Sequence, residues 1–517
     1  MMSDLRSQAE GMGLRFLELI PDSALDPDLI AQVPVEWARS HCMLPLRIEG
    51  EVCVVTADID QVQQQEDLAL LIGEDLKPVA APRDIILQGI ERCYYSRDDS
   101  PDDFLRGLVH EGDPVRPLVQ GGSDLLAEAE KAPVTRLINL ILLEAVKRNA
   151  SDIHFEPFES RLRVRYRVDG NLYEQSSPPK HLEDALVSRL KVMGRMDIAE
   201  RRLPQDGMAR VRVGEREIDV RVSTVPVAEG ERVVLRLLDQ QATLLPMERL
   251  GMSPAVLTGI RGLLAAPHGM IVVSGPTGAG KTTTLYAALG QLDSSRRNIM
   301  TIEDPIEYQL PDIGQIQVKP KIGLTFAQGL RHILRQDPDI VLVGETRDRE
   351  TADIAVRASL TGHLVFTTLH TNDAPGTVSR LIDMGVEPYL LASSLRGALA
   401  QRLIRRLCPH CRREAVAPSS QLAELGDELA ARAAGQPVWE PVGCERCLEG
   451  YSGRMGVFEL VRVDMALREA IRRGSSGSDE LRALAVTAGM RPMVADAVDR
   501  LLEGATSLGE VLNVAAA

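Results

Sequence analysis

Residues 270–284 contain the feature that most constrains the fold, a glycine-rich loop between an apolar run and a predicted helix. The run 270–273 predicts a buried strand, and the spacing from Gly275 to Gly280 is followed directly by Lys281 and Thr282. This is the pattern G-x-x-x-x-G-K-[ST] in its strand-to-helix context. Its glycines let backbone N–H groups approach phosphate oxygens, the lysine reaches the β- and γ-phosphates, and the threonine hydroxyl can bind Mg²⁺. The sequence therefore predicts a nucleoside triphosphate site made by Gly275, Pro276, Thr277, Gly278, Ala279, Gly280, Lys281, Thr282 and Thr283.

The length and composition indicate a protein of several domains and disfavour some classes of partner. At 517 residues the chain is expected to form several domains, because single cores stop growing beyond about 250–300 residues. The formal net charge of −15 and the 3% content of aromatic residues disfavour a nucleic-acid partner, which would select a basic surface and stacking side chains. No run approaches the ~18–20 apolar residues of a membrane span. We therefore expect a cytoplasmic protein.

Shifts in composition and periodicity divide the chain into six predicted regions. Turn-forming and charged residues dominate 96–133, whereas apolar residues at helical spacing begin at Val134. From Met247 onward strands alternate with helices, which is typical of a parallel α/β core, and the predicted strands are 270–273, 299–302, 340–343 and 364–368. The regions are an α/β module at 1–95, a linker at 96–133, an α+β domain at 134–240, the α/β core at 241–405, a cysteine-containing insertion at 406–450 and a helical C-terminal region at 451–517.

Three further predicted strands of this core carry titratable residues, mostly at their carboxyl ends. Because an open α/β sheet binds its ligands there, we expect these side chains to surround the phosphate loop, where carboxylates can hold Mg²⁺ or polarise water. The alternative for each acid taken alone is a solvated loop charge or a helix cap. The residues are Glu303, Asp304 and Glu307 after the first strand, Glu345 after the second, and His363 and His370 at the third.

Four of the seven cysteines form two C-x₂-C pairs. The 32 residues between the pairs exceed the ~15–20 of a compact zinc ribbon, so a helix is expected in the insertion, at 421–434. Four thiolates favour a structural, tetrahedral Zn²⁺ site, whereas a redox-active pair is the alternative. The predicted ligands are Cys408, Cys411, Cys444 and Cys447.

In this order, the four core segments resemble the Walker A, Asp box, Walker B and His box of the secretion ATPase superfamily, the motors of type II secretion and type IV pili. Upstream, the segments 150–157 (ASDIHFEP), 201–207 (RRLPQDG) and 231–238 (ERVVLRLL) are similar to the second N-terminal domain of that family. Met208 departs from the family, whose members often carry a polar residue there. The similarity extends from about residue 130 to the C-terminus, and the module at 1–95 resembles the N-terminal domain of type II secretion ATPases.

The resemblance implies a fold and an activity. The fold would be α/β, a RecA-like P-loop NTPase core with an upstream PAS-like α+β domain, a zinc-binding insertion and a small N-terminal α/β module. The activity would be Mg²⁺-dependent ATP hydrolysis that drives pseudopilus assembly and protein export through a type II secretion system. A type IV pilus extension or DNA-uptake ATPase of the same superfamily is the alternative. The cysteine insertion favours export or pilus extension, because pilus-retraction ATPases generally lack it.

The resemblance also implies an assembly and its partners. The chain would form a homo-oligomeric ring, expected to be a hexamer, in which ATP closes 134–240 on the core and hydrolysis reopens it about a hinge near 239–245. Residues 1–95 would dock on inner-membrane secretion platform proteins, so that the chain is held at that membrane peripherally, through protein partners and without nucleic acid.

Individual roles follow from positions that match the family's motifs. Glu307 matches the candidate general base, Glu345 the Walker B glutamate that supports Mg²⁺ and water, and His370 with His363 the His box that senses the γ-phosphate. Arginines at matching positions are candidates for charge stabilisation, some across a subunit boundary, with an ordinary surface ion pair as the alternative for each. These arginines are Arg221, Arg236, Arg331, Arg335, Arg347 and Arg380.

Overall fold

The chain divides into two units, Met1–Gln241 and Ala242–Ala517, in a computed structural model. The structure describes residues 6, 9, 11–26, 29–30, 32–33, 35–48, 50–95, 101, 105, 133–213, 216–239, 245–474 and 477–516. The predicted linker at 96–133 lies outside the described residues except for three positions, and so does the predicted hinge at 239–245 except for its two ends. In the described ranges no helix combines the length and the apolar character needed to cross a bilayer.

The N-terminal part of the first unit is a small α/β module. Its sheet has the order β1-β4-β3-β2, in which β2 and β3 form an antiparallel hairpin and the remaining pairs are parallel. Buried aliphatic residues such as Leu44, Val54 and Ile86 fill the space between the sheet and the helices. The strands are β1 Arg15–Phe16, β2 Met43–Ile48, β3 Glu51–Thr56 and β4 Lys77–Ala80, and the helices are Val35–His41, Val62–Ile72 and Arg83–Tyr95.

The rest of the first unit is an antiparallel sheet with two long helices. The sheet order is β7-β6-β5-β10-β9-β8. In β6, apolar residues alternate with arginines, so one face is buried and the other carries the guanidinium groups. The Tyr166 hydroxyl on the buried face donates to the Ile141 carbonyl 2.7 Å away, which ties the sheet to the first helix. The strands are β5 Asp152–Pro157, β6 Leu162–Val168, β7 Asn171–Ser176, β8 Gln205–Val213, β9 Arg216–Val227 and β10 Gly230–Asp239, with helices Pro133–Lys147 and Glu183–Met193.

The second unit is built on a mostly parallel sheet with the order β13-β12-β14-β15-β11-β16-β19, in which β19 is Tyr451–Arg462. Every residue of β11, β14 and β15 is buried, because helices cover both faces of a parallel sheet. All four strands predicted for the core are present. The strands are β11 Gly269–Ser274, β12 Ile299–Glu303, β13 Gly314–Gln317, β14 Ile340–Val343, β15 Leu364–Leu369 and β16 Leu395–Leu407, and the helices are Pro254–Leu264, Lys281–Leu289, Phe326–Ile333, Arg349–Leu360, Gly376–Asp383 and Pro388–Ser394.

The C-terminal region corrects one expectation. Residues 451–517 were predicted to be helical, but they begin with the strand β19 Tyr451–Arg462, which pairs antiparallel with β16 at the edge of the core sheet. Val457 and Val461 of this strand are buried in one hydrophobic cluster of the α/β elements, and Phe458 is buried in another. The helices that follow are Met465–Arg472, Ser478–Thr487, Met493–Leu502 and Leu508–Ala515.

The cysteine insertion lies between β16 and β19. It contains a small antiparallel sheet of β17 Arg413–Val416 and β18 Pro437–Glu440, joined by the helices Ser419–Leu422 and Asp427–Ala433. These helices occupy the segment where one helix was predicted, at 421–434. Trp439 in β18 lies against Gly504 after the helix Met493–Leu502, and the Arg412 guanidinium stacks over its ring at 5.4 Å.

Candidate functional site

The phosphate loop leaves the carboxyl end of the buried strand β11 and enters the helix Lys281–Leu289. Gly275, Gly278 and Gly280 have φ values of 146°, 79° and 84°, which a side chain at these positions would strain. At Gly275 there is also no space, since an added Cβ would lie 2.4 Å from the Gln401 carbonyl oxygen. The helix therefore begins with its free N–H groups directed at the loop, which is the arrangement that binds phosphate.

The lysine of the motif is folded back over this loop. Its Nζ donates to the carbonyl oxygens of Gly275 and Pro276, at 2.7 and 3.0 Å. Burial lowers the pKa of the Lys281 ammonium, although the Glu345 carboxylate acts in the opposite direction. The positive charge is thus held inside the loop where phosphate oxygens are expected.

Gln401 contacts the phosphate loop, and this contact was not predicted from the sequence. The last residue of β16 that pairs with β11 is Ala400, and Gln401 is the next residue of the strand. Its buried side chain donates from Nε2 to the Ala279 carbonyl oxygen at 2.6 Å. Since the partners are 122 positions apart, no local pattern signals this contact.

Glu345 lies just beyond β14 and contacts two side chains, those of Arg347 and His370. Its carboxylate oxygens lie 2.7 Å from an Arg347 nitrogen and 3.0 Å from His370 Nε2. Burial raises the pKa of Glu345, but the Arg347 hydrogen bond and the charges of Arg347, His370 and Lys281 outweigh it, so the net shift is downward. Glu345 is therefore a carboxylate at neutral pH, within electrostatic range of the loop lysine.

The segments that carry Glu345 and His370 are joined by hydrogen bonds at the strand ends. The Thr368 hydroxyl donates to the Gly344 carbonyl oxygen at 2.6 Å, and the Thr346 amide donates to the Thr368 carbonyl oxygen at 3.1 Å. The buried hydroxyl groups of Thr346 and Thr367 also form a hydrogen bond, with 2.7 Å between their Oγ1 atoms. This pairing explains why a histidine and an acid 25 positions apart meet.

The acids that follow β12 separate into two kinds. Glu303 is buried and accepts hydrogen bonds from Thr301, Tyr286 and Gln315, so it is a structural acceptor behind the site. Asp304 and Glu307 lie on the loop that follows, with Glu307 exposed. The expectation that all three acids face the ligand is therefore wrong for Glu303.

Of the other predicted residues, His363 lies away from the phosphate loop. His363 precedes β15 at the amino end of the sheet, where its carbonyl oxygen accepts from Gly269 N at the start of β11 and its Nδ1 lies 2.9 Å from the Ala358 carbonyl oxygen. Within one chain, His363 thus lies at the amino ends of the strands, whereas the phosphate loop follows their carboxyl ends. Arg331 pairs with Glu350 at 2.6 Å, and Arg335 and Arg380 are exposed.

The two arginines predicted upstream face each other in the first unit. Arg221 in β9 is the direct cross-strand partner of Arg236 in β10. Arg236 Nε donates to Asp152 Oδ1 at 3.0 Å, and an Arg167 nitrogen lies 3.8 Å from the other oxygen of Asp152. The exposed face of this sheet therefore gathers guanidinium groups around one carboxylate.

The four predicted cysteines come together in the insertion. Their Sγ atoms all lie within 4.8 Å of one another, and the shorter separations are 3.9 Å for Cys408–Cys444 and 3.6 Å for Cys411–Cys447 and Cys444–Cys447. Tetrahedral Zn²⁺ with bonds of ~2.3 Å would separate its sulfur ligands by about 3.8 Å. The cluster is therefore compatible with zinc, and none of its cysteines is in a disulfide.

Comparisons with known proteins agree with this geometry. Residues 127–513 match the family described as type II/IV secretion system protein, and residues 12–100 match the MshEN domain. The chain belongs to the type II/IV secretion system protein family. The predicted resemblance is thus confirmed, and with it, at the level of the family, the assignment as an ATP hydrolase.

Individual relatives cover nearly the whole chain. The type II secretion system protein E of Pseudomonas aeruginosa is 54% identical over 502 residues, which are 96% of this chain and 98% of the relative. The type IV pilus assembly ATPase PilB of Myxococcus xanthus is 43% identical over 505 residues, 96% of this chain and 88% of that protein. The solved structure of the Legionella pneumophila ATPase DotB superimposes with a TM-score of 0.55 at 21% identity, covering 74% of this chain and 96% of that one. This last likeness confirms the predicted RecA-like fold.

Proposed function

We propose that this chain is the ATPase that drives pseudopilus assembly and protein export through a type II secretion system. The observation that carries the proposal is the Glu345–His370 pair at the carboxyl ends of the core strands, together with the phosphate loop that holds Lys281. These features occur in a chain that is 54% identical to a type II secretion protein E over 96% of its length. A nucleotide-binding scaffold without turnover would not need a carboxylate paired with an arginine and a histidine at the strand ends.

The site residues have distinct proposed roles. The loop from Gly275 to Thr283 holds the phosphates of ATP, and Thr282 with Glu345 holds Mg²⁺, whose chemistry is to neutralise charge that develops on the phosphates. Glu307 is the proposed general base, and His370 senses the γ-phosphate. Arg221 and Arg236 are proposed to stabilise phosphate charge in the assembled ring, which we expect to be a hexamer. Their direct cross-strand pairing, with Arg236 exposed and Arg221 half-buried, supports that role.

The test of the catalytic part is ATP hydrolysis by the full chain and its Lys281→Ala variant. We expect Mg²⁺-dependent phosphate release by the wild type and loss of nucleotide binding in the variant, because the loop ammonium is removed. Lys147→Ala, at the end of the helix Pro133–Lys147, is the matched control. Equal turnover by Lys281→Ala and the control would refute the site assignment.

Genetic complementation separates secretion from the pilus alternative, which the PilB relative keeps open. The gene is introduced into its own host after deletion of the chromosomal copy, and exported protein and surface pili are measured together. We expect export to depend on the chain and on Lys281, with pili unaffected. Loss of pili with normal export would favour the pilus-extension ATPase.

We also propose that the N-terminal module gives the chain its position at the inner membrane by binding a platform protein. The helix Val62–Ile72 supports this, since three of its aliphatic side chains, Val62, Leu70 and Leu71, are 57%, 82% and 50% exposed. The double variant Leu70→Glu, Leu71→Glu should leave hydrolysis intact and release the chain from membranes that contain the platform. Val486→Glu, an exposed apolar position of the second unit, is the control. Retention of the double variant on those membranes would refute this docking surface.

A further inference from the structure

A buried polar network lies behind the phosphate loop and reaches the loop that carries Glu307. Its centre is Tyr286, on the helix Lys281–Leu289, whose side chain is fully buried. The Tyr286 hydroxyl donates to Glu303 Oε2 and has a backbone hydrogen bond with Glu307. The same helix therefore carries the phosphate-binding residues at its start and contacts the proposed base through its second turn.

Gln315, on the edge strand β13, closes the network from the other side. Its Oε1 accepts from the Leu310 amide at 2.7 Å, and its Nε2 lies 3.3 Å from the Tyr308 carbonyl oxygen and 3.1 Å from Glu303 Oε1. The Nε2 atom is also 3.3 Å from the Tyr286 hydroxyl. One amide group thus holds the loop at two points, both C-terminal to Glu307.

Aromatic packing fixes the same segment. The rings of Tyr286 and Tyr308 meet edge to face, with centroids 4.7 Å apart. Thr301 adds a further donor to Glu303, so that this buried carboxylate has three side-chain partners. A network with its members satisfied in this way is rigid, because losing any bond would leave a buried polar group unpaired.

We infer that Tyr286 is a positioning residue for Glu307, holding the proposed base at a set distance from the phosphate loop. The inference rests on the proposed function, in which Glu307 activates the attacking water. Tyr286 itself is enclosed and does not touch the nucleotide. Its effect is transmitted through the Glu307 backbone and, by way of Glu303 and Gln315, through the rest of the loop.

The test is a double-mutant cycle on the full chain, with Tyr286→Phe made in the wild type and in Glu307→Gln. In the wild type we expect kcat to fall by about tenfold or more, since small displacements of a catalytic group are costly, while KM for ATP stays within about twofold. In Glu307→Gln the added Tyr286→Phe should change kcat by less than about twofold, because the group that Tyr286 positions is already gone. Tyr389→Phe, on an exposed tyrosine, is the matched control in both backgrounds.

The outcomes distinguish a failure of the positioning role of Tyr286 from a failure of the proposed role of Glu307. The same fold loss in both backgrounds, or no loss in the wild type beside an inactive Glu307→Gln, would overturn the positioning role alone. Wild-type turnover by Glu307→Gln would remove the proposed base and this inference together. If Tyr286→Phe does not fold, Gln315→Leu takes its place in the cycle, because it releases Leu310 and Tyr308 from a partly exposed edge strand. The same pattern of non-additivity is then required.

Discussion

The replacement of Glu345 by glutamine should separate chemistry from stability more cleanly than any other change in the site. The substitution keeps the shape of the side chain and removes its negative charge. The carboxylate now accepts from Arg347 at 2.7 Å and lies 3.0 Å from His370 Nε2. Both partners are well exposed, at 69% and 46%, whereas Glu345 is only 17% exposed.

These exposures set the expected magnitude for stability. Ion pairs whose cationic partner is solvated contribute about 0–1 kcal/mol, and the amide also avoids the cost of burying a carboxylate. The free energy of unfolding should therefore fall by less than about 1 kcal/mol, which lowers Tm by at most ~2–4 °C in a unit of this size. The catalytic effect should be far larger. Loss of a catalytic carboxylate costs about 10²–10⁴-fold in kcat, or about 2.7–5.4 kcal/mol at 1.36 kcal/mol per decade.

The assay is Mg²⁺-dependent phosphate release at saturating ATP, with thermal melts recorded in the presence and absence of nucleotide. Glu469→Gln is the matched control, because Glu469 forms an exposed pair with Arg472 at 2.9 Å and neither residue has a proposed catalytic role. We expect Glu345→Gln to retain the rise in Tm that ATP produces and to lose hydrolysis, with the control unchanged in both. Turnover within about threefold of the wild type would refute the reasoning, as would a large loss of stability without nucleotide.

Three further changes test the metal centre, a buried acid and the C-terminal packing. The wild-type chain should carry one zinc per chain by atomic absorption, and Cys444→Ser should lose it, since a closed four-thiolate site cannot spare a ligand. Burial raises the pKa of the Asp496 carboxyl above its ordinary 3.8, against the hydrogen bond from Phe458 N. The folded state thus keeps this proton longer than the unfolded state, and Asp496→Asn should abolish a fall in stability that the wild type shows as pH rises from about 4 through the raised pKa. Glu510→Gln should cost about 2–3 kcal/mol of stability in denaturant melts, because Glu510 binds both the guanidinium and the amide of the half-buried Arg405.

Each of these has a contradicting result. Cys53→Ser, a cysteine outside the cluster, should retain zinc, and equal metal content in Cys444→Ser would exclude the four-thiolate site. Parallel stability curves for the wild type and Asp496→Asn between pH 4 and 8 would show that the buried acid titrates alike in both states. A Glu510→Gln variant as stable as Glu503→Gln, which loses only an exposed pair with Arg500, would show that the Arg405 contact contributes little.

Much of the fold was predictable because the signals are local. An apolar run followed by glycines, lysine and threonine can form little other than a strand, a phosphate loop and a helix, and four strands of the core were predicted from runs of the same kind. The cysteine cluster was predictable from spacing, since each C-x₂-C pair presents two thiols within a single turn. The strand β19 was missed because its exposed half, Tyr451 to Met455, breaks the apolar run that would have indicated it.

The separate roles of the acidic residues could not be predicted from local sequence signals. Glu303 and Glu307 look equivalent along the chain, and only packing distinguishes the buried acceptor of Tyr286 from the exposed residue on the loop. His363 and His370 look equivalent in the sequence, but they lie at opposite ends of β15, and only His370 is at the carboxyl end with the phosphate loop.

The sequence by itself thus determines which chemical groups this protein carries, because a phosphate loop and a C-x₂-C pair are formed by residues that are close together in the chain. The role of each group depends on contacts across long separations in the chain, such as that between Gln401 and Ala279, 122 positions apart. Such contacts form only when strands far apart in the chain become adjacent in the sheet. Their energy comes from burial and from satisfying polar groups away from water, which no local pattern records.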